Sequence, residues 1–256
     1  MSLHSKLKFS IITATYNSSD TIESCLNSIS VQSYDNIEHI IIDGNSCDDT
    51  LEKVNNHPCK PSLIISEADD GIYDALNKGI KNSTGDIIGF LHSDDFFNDD
   101  RVVEKIINSF EKDQSINAVY GDCEFFSKKS KQKVIRKWKS KTFNPTLLQS
   151  GWMPPHAALY VRSEVIKSVN GFNNSFKISG DYECILKMFL KEDFKAYYIP
   201  EVLLKMRMGG ASNSSIVNIF LKTKEDWRAL RDNHFGILLS LKIIIFKNIS
   251  KIIQFL

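Results

Sequence analysis

The five cysteines of this chain (Cys25, Cys47, Cys59, Cys123 and Cys184) are odd in number and never form a CxxC pair. That argues against a disulfide framework and against a structural zinc site, and it suits a reducing compartment. Charge of one sign is missing as well. With 32 basic and 31 acidic residues the formal net charge is +1, so no global field draws the chain to nucleic acid or to an anionic membrane. Long apolar runs are absent too, because Lys242, Lys247 and Lys251 interrupt the one stretch that approaches membrane-spanning length. Met1 to Lys8 has no apolar core of a secretory signal. The expected location is therefore cytoplasmic. No repeat, low-complexity tract or Pro/Gly linker divides the 256 residues, and an apolar fraction of 42% is ample for a core.

What is present is an alternation of short apolar runs and amphipathic stretches. Phe9 to Ala14, Ile37 to Ile42, Leu63 to Ile65 and Ile87 to Leu91 read as buried strands. Between and after them, Asp20 to Val31, Asp48 to Val54, Ile72 to Lys81 and Val102 to Phe110 read as helices; Ile22, Leu26 and Ile29 recur at helical spacing in the first. Such alternation predicts βαβ units and a mostly parallel, Rossmann-like α/β sheet with flanking helices. Ala118 to Phe126 pairs in this reading with Lys133 to Trp138. Ala157 to Val161 and Lys195 to Ile199 are further strands, and Asp181 to Leu190 is a helix. Two helical patterns, Ser215 to Asn233 and Gly236 to Leu256, close the chain. The expected division is a catalytic domain over 1–212 and a helical extension over 213–256.

Ligands in parallel sheets bind beyond the carboxyl ends of the strands. Those positions read Thr15-Tyr16-Asn17, Asp43-Gly44-Asn45-Ser46, Glu67-Ala68-Asp69 and His92-Ser93-Asp94-Asp95. Hard divalent cations favour carboxylate oxygens, and a departing diphosphate needs its charge neutralised. Either aspartate of Asp94-Asp95 could ligate Mn²⁺ or Mg²⁺ while its neighbour holds ribose or water; the competing reading is a helix cap. Asp43 at its strand end could accept from a base or ribose, with Gly44 letting the ligand approach the backbone; the competing reading is a turn plus a capping box, with Ser46 ahead of Asp49. Tyr16 could stack on a base. Asp48 and Asp49 are read as helix-capping residues.

Four stretches together carry a family resemblance: Thr-Ala-Thr-Tyr-Asn (13–17), Ile-Asp-Gly-Asn-Ser-Cys-Asp-Asp-Thr (42–50), Ser-Glu-Ala-Asp-Asp-Gly-Ile-Tyr-Asp-Ala-Leu-Asn-Lys-Gly (66–79) and Thr-Gly-Asp-Ile-Ile-Gly-Phe-Leu-His-Ser-Asp-Asp (84–95). The chain resembles the family 2 glycosyltransferases, inverting enzymes of the GT-A fold, over about residues 8 to 210. The resemblance implies that Thr15, Tyr16 and Asp43 meet the nucleoside and that Asp69 is near it. It puts Asp94 at the ribose or metal and makes Asp95 the principal metal ligand. Family members carry an acidic pair opening a later helix. Here the text is Ile-Ser-Gly-Asp-Tyr-Glu-Cys (178–184), so Gly180 departs from the pattern while Asp181 keeps the base position. Asp181 would take the acceptor proton in a single inverting displacement; a plain helix cap, or Glu183 as the base, are the alternatives. His156 after Pro154-Pro155 resembles the acceptor-side stretch of similar enzymes and could orient the acceptor or donate to phosphate. Arg207, ahead of Gly209-Gly210-Ala211-Ser212, resembles a segment that closes over the donor diphosphate. A structural histidine and a solvated arginine are the competing readings.

Two features concern the acceptor. Lys128, Lys129, Lys131, Lys133, Arg136, Lys137, Lys139 and Lys141 form a basic run without an acidic residue, read either as a solvated hairpin or as a patch for an anionic membrane or a lipid-linked pyrophosphate. In the tail, Ile245, Phe246, Ile249, Ile252, Ile253 and Leu256 share one helical face, while Lys247, Asn248, Ser250, Lys251 and Gln254 lie on the other. That pattern suits a peripheral contact with the inner face of the plasma membrane, or packing on the catalytic domain or a partner. The processive Gln-x-x-Arg-Trp signature is missing, so one hexose or N-acetylhexosamine per cycle is expected. The expected donor is a nucleotide diphosphate sugar, most commonly a UDP-sugar in this family. The expected acceptor is a saccharide, free or on a polyprenyl diphosphate, as in a bacterial surface polysaccharide of the O-antigen type; nucleic acid is no partner. A nucleotidyltransferase would need a glycine-rich, arginine-bearing loop where Thr15-Tyr16-Asn17-Ser18-Ser19 stands. A non-catalytic nucleotide-sugar-binding protein on the same scaffold is the other alternative, kept open by Gly180.

Overall fold

The computed structural model describes residues 6–127, 130–208 and 216–253. Four parallel strands form the heart of the sheet: β1 (Phe9–Thr15), β2 (Ile37–Asp43), β3 (Leu63–Ser66) and β4 (Ile87–Phe90), in the order β3-β2-β1-β4. They are joined by α1 (Ile22–Ser30), α2 (Thr50–Asn56) and α3 (Ile72–Asn82). The near-continuous apolar strands are explained by coverage on both faces. Ile12, Ile40, Ile42 and Ile88 enter one core with Tyr73, Leu76 and Ile80 of α3. Their neighbours Ile11 and Ile87, together with Phe9, enter a second core with Cys25 and Ile29 of α1. Successive strand residues thus serve opposite layers.

β4 is followed by a two-residue strand β5 (Phe96–Phe97) and by α4 (Val102–Lys112). Arg101 at the N-cap of α4 makes no capping bond of its own; the Val103 amide is met instead by Gln32 Oε1 at 3.0 Å, and five apolar residues of the helix are buried. A cap contributes about 1 kcal/mol, whereas burying each such side chain contributes roughly 2 kcal/mol, so packing decides that this helix forms. The sheet then continues through β6 (Ala118–Ser127), β7 (Ser130–Trp138), β8 (Leu159–Arg162) and β9 (Ala196–Arg207). β8 runs antiparallel between β4 and β6, β9 runs parallel to β6, and β5 and β7 pair antiparallel with β9 and β6. The second half is therefore mixed. The sequence reading ended β9 near Ile199, yet the strand runs to Arg207; Pro200 and Glu201 look like a stop, but the ladder to β6 resumes beyond them with a register shift. It also had no counterpart for β5 or for α5 (Ser163–Ser168), elements too short to carry a period.

α6 (Gly180–Phe189) packs in the first core, and α7 (Ile216–Asp232) and α8 (Ile237–Ile253) follow it. Ala229, Leu230 and Phe235 from the first of these and its following turn, and Ile243 from the second, are buried in that same core. The polar pattern of the tail needs one correction. Lys247 does not face solvent: it is buried, 2.9 Å from Asp226, with its ammonium over the Tyr182 ring. A lysine stem can pack inside when a carboxylate meets its head, so spacing alone put it on the wrong face. Ile245 and Phe246 are about half exposed, as the apolar-face pattern expects. The remaining tail side chains, and the 209–212 segment, lie outside the described residues.

Candidate active site

The carboxyl ends of β1 and β2 lie level, with Thr15 opposite Asp43, and Asp43 is opposite Ser66 of β3. Asp43 is fully buried. Its carboxylate accepts from the Ser46 amide at 2.9 Å, the Ser66 hydroxyl at 2.7 Å and the Ser46 hydroxyl. Asn17 and Asn45 take positive φ values of 47° and 65°, which asparagine tolerates better than most residues, and so turn the two loops sharply at the strand ends. Asn17 then clasps the second loop, donating its amide to Ser46 Oγ (2.8 Å) and accepting from the Cys47 amide (2.9 Å). Asp48 caps its own helix through the Thr50 amide and also accepts from the Ser19 amide. The capping reading is thereby met for Asp48 but not for Asp49, which stands at the N-cap of α2 without a side-chain capping bond.

Tyr16, Gly44 and Asp69 converge. A Cβ on Gly44 would lie 2.7 Å from Asp69 Oδ2 and 3.4 Å from the Tyr16 ring, so any side chain there would occupy the gap between them. The Tyr16 ring is 62% exposed, free to offer a face to a planar ligand. Thr15 sits beneath with its hydroxyl buried and unpaired.

Across the sheet, the turn after β4 is closed by the Asp95 amide on the His92 carbonyl (3.0 Å), and Ser93 Oγ meets Ser18 Oγ at 2.9 Å, tying it to the β1 loop. Asp95 is almost entirely buried. One of its oxygens accepts a long bond from the Arg207 amide (3.3 Å); the other, Oδ2, has no partner. Burial first and the adjacent Asp94 second push its pKa well above the usual carboxylate range, against the pull of Arg207. An orphaned carboxylate oxygen beside a second carboxylate is the environment that a hard divalent cation relieves. Among the described residues no three His, Cys, Asp or Glu side chains gather into a cage, so a cation here would need ligands from its substrate or water. The residues fit a metal shared with a bound phosphate group. Arg207 itself lays its guanidinium 5.1 Å from the Phe126 ring centroid while its backbone serves Asp95.

The third group of residues comes from far along the chain. A short 3₁₀ turn, His156–Ala158, follows Pro155. His156 Nδ1 lies 3.2 Å from Asp181 Oδ2, and its ring is 6.0 Å from that of His92. Burial, then His156, lowers the His92 pKa to about 4, which keeps that imidazole neutral near pH 7. Asp181 Oδ1 is buried and unpaired. Glu183, the alternative base, is turned inward and pairs with Lys187 at 2.6 Å. Gly180 is explained by its neighbour: a Cβ there would lie 2.7 Å from the Tyr73 ring, whose hydroxyl donates to the Ile178 carbonyl (2.7 Å). Tyr73 occupies the room that an acidic side chain would need.

The 92–95 turn thus approaches His156 and Asp181 through the His92 ring, Tyr16 and Asp69 meet over Gly44, and the Ser18–Ser93 contact ties the β1 loop to the 92–95 turn. Sequence reading missed Ser46 and Ser66 as the partners of Asp43, and it missed Glu225. Glu225 lies on α7 and accepts from three consecutive amides, those of Lys177, Ile178 and Ser179, just ahead of α6. Nothing local announces it, since its partners are 46 to 48 residues away.

A parallel sheet carrying acidic strand ends, extended by mixed strands and by a helix that brings in a further carboxylate, is the architecture of GT-A transferases. The description "Glycosyl transferase family 2" matches residues 10–168, more than half of the chain, and the protein belongs to that family of glycosyltransferases. An uncharacterized glycosyltransferase of Mycobacterium tuberculosis is 31% identical over 185 residues, covering 71% of this chain and 68% of that one. A PGL/p-HBAD biosynthesis glycosyltransferase of Mycobacterium bovis is 26% identical over 220 residues, 84% of this chain and 82% of the other. Among solved structures, S. aureus TarS residues 1–349 in complex with UDP-GlcNAc superposes with a TM-score of 0.69 at 18% identity, over 93% of this chain and 70% of that one. The mannosyltransferase PcManGT from Pyrobaculum calidifontis, in complex with GDP-Man and Mn²⁺, gives 0.65 at 17% identity, over 94% and 69%. These likenesses support the GT-A fold.

Proposed function

We propose that this chain transfers one hexose or N-acetylhexosamine, with inversion, from a nucleoside diphosphate sugar to a saccharide hydroxyl, using Mn²⁺ or Mg²⁺. UDP is the favoured carrier, and the favoured acceptor is a polyprenyl-diphosphate-linked unit of a surface polysaccharide. The observation that carries the reading is two carboxylates, each with one buried oxygen that has no partner: the buried Asp95 in the turn after β4 and the partly exposed Asp181 at the start of α6. One is suited to a cation, the other to a proton. Glu183 also has such an oxygen, but its side chain is turned into the core and its other oxygen is taken by Lys187.

On this reading Tyr16 stacks on the base, and Thr15, Asp43 and Asp69 line the nucleoside pocket. Asp94 and Asp95 hold the cation. When bound, that cation offsets the charge of the leaving diphosphate. Arg207 adds positive charge on the same side. The Asp181 carboxylate accepts the proton of the acceptor hydroxyl as the hydroxyl oxygen attacks the anomeric carbon and the diphosphate departs, and His156 holds Asp181 Oδ2 in place. The burial of Asp95 keeps bulk water from this end of the site, where fixed charges act more strongly than in water. The catalytic domain is taken to span 1–212. Exposed Leu238, Leu241, Ile245 and Phe246 with Lys242 on α8, and exposed Lys133, Lys137, Lys139 and Lys141 on and just after β7, suit a peripheral membrane contact near a lipid-linked acceptor. Among the described residues no helix is long and apolar enough to cross a membrane.

The test is incubation with a panel of nucleotide sugars and Mn²⁺, following release of nucleoside diphosphate. Asp181→Asn is expected to lower turnover about 1000-fold, within the range for loss of a general base, while donor binding persists. Turnover that survives chelation would remove the metal from the proposal, and wild-type turnover in the asparagine variant would remove Asp181.

A further inference from the structure

We propose that Glu225 is a positioning residue for Asp181, acting through the turn that opens α6; this rests on the reading of Asp181 as the base. The Glu225 carboxylate is buried and accepts the amides of Lys177 at 2.9 Å, Ile178 at 2.8 Å and Ser179 at 2.8 Å. Three successive N–H groups aimed at one carboxylate form an anion-holding loop, here satisfied by a side chain of the same protein. Bonds of this kind, to an ionised acceptor, are about twice as strong as neutral ones.

What makes the contact more than a generic cap is its place. Ser179 stands at the N-cap of α6 but makes no capping bond of its own. Its hydroxyl lies instead 3.4 Å from the Lys222 carbonyl on α7. The free amides ahead of α6 are thus held by another helix rather than locally. On the opposite side the Tyr73 hydroxyl grips the Ile178 carbonyl. The turn is therefore held by its donors from α7 and by its acceptor from α3. Asp181 is two residues beyond Ser179, and with no side chain on Gly180 the backbone of this turn sets where its carboxylate points. A shift there would open the 3.2 Å contact with His156.

α7 is itself fixed from behind. Asp226, adjacent to Glu225, pairs with Lys222 at 3.3 Å and with Lys247 of α8 at 2.9 Å, and the Lys247 ammonium lies over the ring of Tyr182, the residue after Asp181. The two last helices thus reach the residues on both sides of the base. Their inner face serves the reacting carboxylate, whatever their outer face meets.

The experiment compares wild type, Glu225→Ala, Glu225→Gln and Asp181→Asn as full chains, with whichever nucleotide sugar the wild type turns over. Donor Kd is measured by calorimetry, kcat by diphosphate release, and amide exchange by mass spectrometry over the 177–181 segment. Glu225→Ala is expected to exchange at least tenfold faster in that segment and to lose at least tenfold in kcat, with donor Kd within twofold of wild type. Glu225→Gln, which keeps one acceptor oxygen, should fall between wild type and the alanine variant, with a loss in kcat greater than twofold. Should the alanine variant fail to fold, the glutamine variant at unchanged Tm carries the same comparison. A kcat within twofold of wild type in a folded Glu225 variant overturns the proposal, as does a loss of donor affinity that matches the loss of turnover. If Asp181→Asn instead turns over normally, the base assignment fails, and the exchange data still decide whether Glu225 holds the turn.

Discussion

The two sides of the cleft are held together in different ways. On the β1–β3 side, Asp43, Ser46, Asn17 and Ser66 bond to one another within or between neighbouring strand-end loops, and the register of parallel strands brings those loops side by side. On the α6 side, Asp181 depends on His156, on Tyr73 from α3 and on Glu225 from α7, residues that no single sheet register aligns. A pocket for a nucleotide can thus come from the sheet itself, while a base opposite it has to be assembled from helices. The first kind of site is stiff as soon as the sheet forms; the second is only as well placed as the helices around it.

The comparison is broken most sharply by a pair of substitutions. If the division is right, Asp181→Asn leaves donor affinity alone and acts on kcat, as set out above, whereas Asp43→Ala acts on the donor. Removing the Asp43 carboxylate strands the Ser46 amide and two hydroxyls that shape the loops at the end of β1 and β2. Each stranded buried donor costs about 1 to 3 kcal/mol, so the loop loosens and donor Kd should rise by about 100-fold, the equivalent of roughly 3 kcal/mol. Calorimetry on both variants checks this. Equal donor affinities in the two would erase the distinction between the sides.

A smaller effect is expected at Tyr16. Stacking of a base on an aromatic ring contributes about 1 to 3 kcal/mol, so Tyr16→Ala should weaken donor binding about tenfold and leave kcat at saturating donor nearly unchanged. Tyr16→Phe should behave as wild type, because only the ring face is used. Weakening by the phenylalanine variant would mean that the hydroxyl, not the ring, meets the ligand.

The same contrast governs what could be read from the sequence. The β1–β4 half was legible because its signals are contiguous: an apolar run, then small polar residues at the strand end, then a helical period. The family motifs of residues 13–95 lie entirely in this half. Asp181 was reached only through the family's pattern, and even there Gly180 broke the match until the Tyr73 ring accounted for it. Glu225 reads as one more polar residue in Lys-Thr-Lys-Glu-Asp-Trp, and its role exists only in three dimensions. Lys247 went astray for a related reason. A helical period assigns lysine to the wet face, and nothing in the text shows that Asp226 waits on the dry one.

A further effect, on folding stability rather than on donor binding, lies within the sheet and concerns acid. His39 of β2 is buried, and burial first, then His57, lowers its pKa to about 3; its Nε2 is 3.0 Å from the Thr13 hydroxyl. The unfolded chain protonates this histidine near its ordinary value of about 6.5, while the folded chain keeps it neutral. The unfolded state then binds the extra proton, so stability is full above that value and falls as pH drops from there towards about 3. The slope from one such group is on the order of 1 kcal/mol per pH unit. His39→Gln keeps a polar partner for Thr13 but cannot titrate. Urea unfolding of both proteins between pH 7 and about pH 5, above the range where ordinary carboxylates titrate and with Asp95 common to both, should give curves that diverge as the medium is acidified, the wild type losing stability faster. The donor side would then be the part of the cleft whose scaffold senses mild acid, through a histidine that touches no ligand. Parallel curves would mean that the buried imidazole is protonated as easily as a free one, and that β2 is less tightly covered than its packing indicates.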